Sequence, residues 1–83
     1  MRESKIIKII AIEYRNATDD VLSGEYDVYY SSGLHRKYPY QYLTTEMHQF
    51  MGMNYAKRIR TGKTISDSRN NYTTTEVYNE WTL

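Results

Sequence analysis

The sequence predicts an α+β fold: an antiparallel sheet of three or four strands, arranged as a β-meander, with one main helix packed on one face. Three observations carry this. Residues 5–42 alternate apolar and polar side chains with period two, interrupted by two turn signals. Residues 43–60 switch to helical spacing. The links between the first segments are short enough for hairpins, which makes neighbouring strands antiparallel.

Lys5 to Arg15 reads as a strand, because its five isoleucines are β-branched and disfavour a helix. Alternation sets Ile7, Ile9 and Ala11 on one face and Ile10, Ile12 and Tyr14 on the other. Both faces are apolar, as in a central strand covered on both sides. Asn16-Ala17-Thr18-Asp19-Asp20 is turn chemistry, short polar side chains that bond their own backbone. Val21 to Tyr30 follows as a second strand, with Tyr26, Val28 and Tyr30 opposing Glu25, Asp27 and Tyr29; Gly24 marks a bulge. Ser31-Ser32-Gly33 gives the second turn. Leu34 to Tyr42 then reads as a third strand, one that lies at an edge or breaks at Pro39, which has no N–H to donate.

Thr44 or Thr45 caps a helix running to about Arg60, with Leu43, Met47, Phe50 and Met51 as its apolar stripe. Lys57, Arg58 and Arg60 fill its last turn, where cations complement the helix dipole, and Gly62 serves as its C-terminal cap. Lys63 to Asn71 reads as a polar loop. In Tyr72 to Leu83, Thr73, Thr75, Val77, Trp81 and Leu83 alternate as in a strand; Thr73 to Glu76 also fits a capping box for a short helix, but the threonines and tyrosines favour the strand. The expected core is Ile9, Ile10, Ile12, Val28, Met47, Phe50 and Met51.

At 83 residues the chain is expected to be a single domain, 1–83. It has no cysteine, which removes a disulfide framework, a thiolate zinc site and a cysteine nucleophile together. A small domain without disulfide staples points to a cytoplasmic location. The apolar stretch Ile6 to Ile12 is interrupted by Lys8 and leads to no cleavage site, so a signal peptide is not expected. No apolar run reaches the length of a membrane span, and no membrane partner is expected.

Motifs for catalysis are incomplete. His35 and His48 sit in no nucleophile pattern. Gly62-Lys63-Thr64 imitates the end of a phosphate-binding loop, but Lys57 stands where the loop's first glycine is needed. Asp19, Asp20, Glu25 and Asp27 lack the glycine and bidentate glutamate of a calcium loop. The reading is therefore no enzyme, no cofactor and no metal.

What stands out is tyrosine, 10 residues against one Phe and one Trp. Tyrosine joins a rigid apolar ring to a polar tip and suits contact surfaces. Arg36 and Lys37 flank Tyr38 and Tyr40, and Lys57, Arg58, Arg60 and Lys63 bring four cations within seven residues. These eight residues form the expected partner-binding surface, provided that the third strand and the helix end share an edge of the fold. The expected function is docking on another protein. A short, cysteine-free, tyrosine-rich chain without motifs is similar in style to phage or mobile-element accessory and inhibitor proteins, which act by occluding a host protein. The alternative partner is nucleic acid, held by the basic helix end and the Arg36–Tyr40 segment. The strand-strand-strand-helix order is similar to that of small DNA-binding domains that lay a three-stranded sheet in the major groove. Those sheets are richer in arginine, so the likeness is one of order.

Overall fold

A computed structural model describes residues 4–67 and 72–83. The chain is α+β, with five strands rather than three or four: β1 (Ile6–Arg15), β2 (Val21–Tyr30), β3 (His35–Pro39), α1 (Thr45–Met53), β4 (Ile59–Asp67) and β5 (Tyr72–Thr82). All pair antiparallel in the order β3-β2-β1-β5-β4. The first three strands form the expected meander. The chain then leaves one edge of the sheet at β3, passes through α1, and re-enters at the other edge as β4. That crossing lays the helix over one face and leaves the opposite face open.

The element missing from the sequence reading is β4. Thr44 caps α1 as anticipated, its side chain accepting a bond from the Met47 amide at 3.2 Å. The helix, however, stops at Met53. Asn54 is buried and closes the helix end: its backbone N–H and its side-chain amide both donate to the Phe50 carbonyl, at 3.1 and 2.8 Å. Lys57 therefore sits in a short 3₁₀ turn, and Arg60, Gly62 and Lys63 sit in a strand. Gly62 is not a helix cap; it pairs with Val77. The expected polar loop is strand as far as Asp67, and its remaining residues, 68–71, lie outside the described residues. β5 is the strand the alternation favoured.

Proline sets the length of β3. The strand ends at Pro39, and Tyr40–Tyr42 continue as a 3₁₀ turn, so Tyr40 and Tyr42 leave the ladder that alternation assigned to them. Gly24 is no bulge: it stands in register opposite Glu13, and a Cβ there would meet the Ile12 carbonyl oxygen at 3.0 Å. The two register shifts fall between Ile6 and Lys8 and between Tyr14 and Arg15. The first inserts Ile7, which moves Ile6 onto the covered face and leaves Ile7 exposed.

Covered-face residues make the core: Ile6, Ile9, Ala11, Tyr26, Val28 and Trp81 from the sheet pack against Met47 and Phe50 of α1, with Leu43 and Met51 partly buried around them. Ile10 and Ile12, expected in the core, lie on the open face and are half-buried. A single nine-residue helix covers one side of the central strand only. Among the described residues no helix is long and apolar enough to cross a membrane.

Candidate functional site

Because directly opposed residues of antiparallel strands share a face, the register sorts every side chain of the sheet. On the covered face the central strand carries Glu13 in line with Ile9 and Ala11. Glu13 is 3% exposed and surrounded by donors. Arg15 gives it two bonds, from Nε at 3.2 Å and Nη2 at 2.8 Å. The Tyr26 hydroxyl and the Asn79 amide also donate to it. Burial pushes the Tyr26 phenol far above its ordinary pKa, and the hydrogen bond to the Glu13 carboxylate adds to the shift. Burial alone would lower the pKa of Arg15, but the bond and charge of Glu13 outweigh it and the net shift is upward.

From Arg15 the charges continue outward. Its Nη1 donates to the Asp19 carbonyl at 2.7 Å, and Arg60 Nη2 bonds the Asp19 carboxylate at 2.6 Å. Asp19 takes a left-handed conformation, φ 66°, in the turn between β1 and β2. The bond from Arg60 holds its carboxyl below the ordinary carboxylate range. The result is an alternating chain Glu13–Arg15–Asp19–Arg60 that ties the first turn to β4.

Above this chain, between helix and sheet, lies a cavity of about 230 Å³. Its lining includes Glu13, Arg15, the rings of Tyr26, Tyr40, Tyr55 and Trp81, and His48 on the helix. Tyr26 lies between Tyr40 and Trp81, with ring centroids 6.5 and 6.4 Å away. The carboxylate oxygens already accept four donor bonds, so Glu13 works as a structural acceptor. Among the described residues no cluster of three or more His, Asp or Glu is arranged to hold a metal ion.

The open face differs in character. Across it run Ile10, Ile12 and Tyr14 of β1, Tyr29 of β2, Tyr78 of β5, and Ile59 and Ile65 of β4. Tyr14 is 37% exposed and Ile59 56%. Charges of both signs interleave with these: Lys8, Lys37 and Lys63 against Glu25, Asp27, Glu76 and Glu80. Lys8 and Glu80 pair at 3.2 Å, and Tyr78 donates to Glu80 at 2.7 Å. A depression of about 640 Å³ lies beside Ile12, Tyr14, Glu25 and Pro39.

The eight residues singled out in the sequence do not form one surface. Arg36, Lys37 and Tyr38 are on β3 at one edge; Arg60 and Lys63 are on β4 at the other. Four inter-strand steps, roughly 19 Å, separate the two strands. The sequence reading needed them to share an edge, and β1, β2 and β5 intervene because β5 returns to pair with β1. Tyr38 is half-buried, its hydroxyl 3.5 Å from that of Tyr30. Arg60 is engaged by Asp19, and Arg58 lies over the Tyr55 ring at 3.8 Å. Lys57 and Lys63 are exposed. One link does form across the covered face: Tyr40 and Tyr55, the ring that Arg58 covers, line the same cavity.

Sequence reasoning missed the Glu13 network, although a signal was present: Glu13 continues the alternation of Ile9 and Ala11 and so places a carboxylate on an apolar face. No family model, curated protein or solved structure matches the chain.

Proposed function

We propose that this chain is a non-catalytic module that docks on another protein through the open face of its sheet, the accessory or inhibitor role in which a small protein covers a site on a larger one. The observation that carries this reading is the composition of that face: half-exposed tyrosines and isoleucines on four strands, set among three lysines and four carboxylates. Tyrosine supplies large contact area at low entropic cost, and balanced charges around apolar anchors suit a protein surface. A nucleic-acid face needs an excess of cations to displace counterions from phosphates, and among the described side chains of this face acids outnumber bases four to three.

The test begins with a protein captured on the immobilised chain. Tyr14→Ser/Tyr78→Ser should weaken that complex at least tenfold with an unchanged circular dichroism spectrum, corresponding to more than about 1.4 kcal/mol. Lys57→Glu, in the turn between α1 and β4 and outside the ladder, should leave it intact. Affinity should change less than tenfold between 50 and 200 mM salt. Binding of a labelled oligonucleotide that falls on the order of a thousandfold over the same range would instead favour nucleic acid as the partner. Equal binding by the Tyr14/Tyr78 variant would place the contact elsewhere.

A further inference from the structure

The two edges of the sheet are built differently. β3 is five residues long, ends in Pro39 and carries Arg36 and Lys37, features that discourage another strand from pairing there. β4 also carries two cations, Arg60 and Lys63, but Arg60 is engaged by Asp19, and the strand lacks the other two protections. It is nine residues long and contains no proline, and its ladder with β5 runs without a register shift. Residues 59–65 are all exposed, with Ile59 at 56% and Ile65 at 40%. Among the described residues β4 pairs with β5 alone, so its outer backbone groups are open to a partner strand.

We propose that β4 pairs antiparallel with β4 of a second copy of this chain, about a two-fold axis through Gly62. The occupant is read from the strand's own sequence. An axis at Gly62 sets Ile59 opposite Ile65 of the second copy, and Ile65 opposite its Ile59. Both apolar pairs then fall on the open face, with directly opposed Cβ atoms about 4.5–5.5 Å apart. Lys63 meets Thr61 and Arg60 meets Thr64, so no like charges stand directly opposed. Lys63 also lies opposite Glu76 within its own hairpin, and Arg60 is neutralised by Asp19. Gly62 meets Gly62 on the other face, so no side chain obstructs the axis. Moving the axis to Lys63 would set that lysine against itself and each isoleucine against Thr61 or Asp67. The pairing is isologous and closed, so it stops at a dimer with one continuous ten-stranded sheet. This inference does not rest on the docking function proposed above, although Ile59 and Ile65 belong to both surfaces.

The absence of cysteine from the native sequence makes the register directly testable. Opposed Cα atoms in an antiparallel pair lie about 4.5–5.5 Å apart, within disulfide reach. A Cβ at Gly62 makes only ordinary contact, 3.4 Å from Thr75 Cγ2. Gly62→Cys should therefore oxidise in air to a covalent dimer. Thr64→Cys, offset by four residues from its own copy, should form at least tenfold less. Sedimentation of the wild-type chain should show a concentration-dependent dimer. Ile59→Lys/Ile65→Lys should sediment as a monomer with an unchanged circular dichroism spectrum. A wild-type chain that stays monomeric to millimolar concentration would overturn the proposal. So would cross-linking of Thr64→Cys as readily as Gly62→Cys.

Discussion

Glu13 shows how one residue can impose specificity on a small core. A carboxylate that is 3% exposed is tolerated only because Arg15, Tyr26 and Asn79 donate to it from three strands. The same contacts fix the registers of β1 with β2 and β1 with β5, since a slip of one residue would strand the charge. Tyr26→Phe keeps the ring and deletes one donor, and should lower stability by about 1–3 kcal/mol. Glu13→Ala removes the shared acceptor and leaves Arg15 with Asp19 alone; it should cost about 3 kcal/mol or more. Urea unfolding followed by Trp81 fluorescence measures both. A Glu13→Ala midpoint equal to wild type would show that the network contributes nothing to stability.

At the scale of elements, α1 is short and depends on its packing. Nine residues make a marginal helix in isolation, so its stability comes from Met47 and Phe50 against the sheet. Phe50→Ala should cost about 3–5 kcal/mol, a large part of what a domain of this size has. Gly52 offers the opposite change. It is helical, and a Cβ added there meets nothing within 4 Å. Gly52→Ala should therefore stabilise the protein by about 1 kcal/mol, read as a raised thermal midpoint. A lowered midpoint would mean that the glycine is needed for the cavity it lines.

On the scale of the whole molecule, the charges and phenols set a pH window. Asp19 and Glu80 have lowered pKa values, held down first by hydrogen bonds from Arg60 and Tyr78. Their contribution is complete above the ordinary carboxylate value near about 4 and is lost as pH falls below it. Asp19 is exposed and Glu80 is half-buried in a surface pair with Lys8, so the acid-side loss is small. The phenols act in the other direction. Burial raises Tyr26 well beyond its ordinary value, and raises Tyr30 to about 12 with help from the Tyr38 hydroxyl. A raised folded-state value gives stability that is full below the unfolded tyrosine value of about 10 and lost as pH rises beyond it. Thermal midpoints should fall steeply between pH 10 and 11.5, and less steeply in Tyr26→Phe. Equal slopes for the two proteins would remove Tyr26 as the cause.

The sequence by itself determined the strands of residues 5–39, both of their turns, a cap at Thr44 or Thr45 and the helical stripe; for residues 72–82 it favoured a strand over a short helix, and the ladder with β1 and β4 decided it. Each is written in local alternation, β-branching or capping, which neighbouring residues set together. Tertiary structure decided the rest. Lys57, Arg58 and Arg60 fit a helix end by charge, yet the long-range ladder between Ile59–Asp67 and Tyr72–Thr82 captured Arg60 for a strand. The same ladder, with β5 returning to β1, carried the two basic regions to opposite edges. It also left Ile10 and Ile12 half-exposed, because one helix can cover only one face. Alternation names two faces for every strand; which one is buried depends on where the chain crosses, and that is a property of distant contacts.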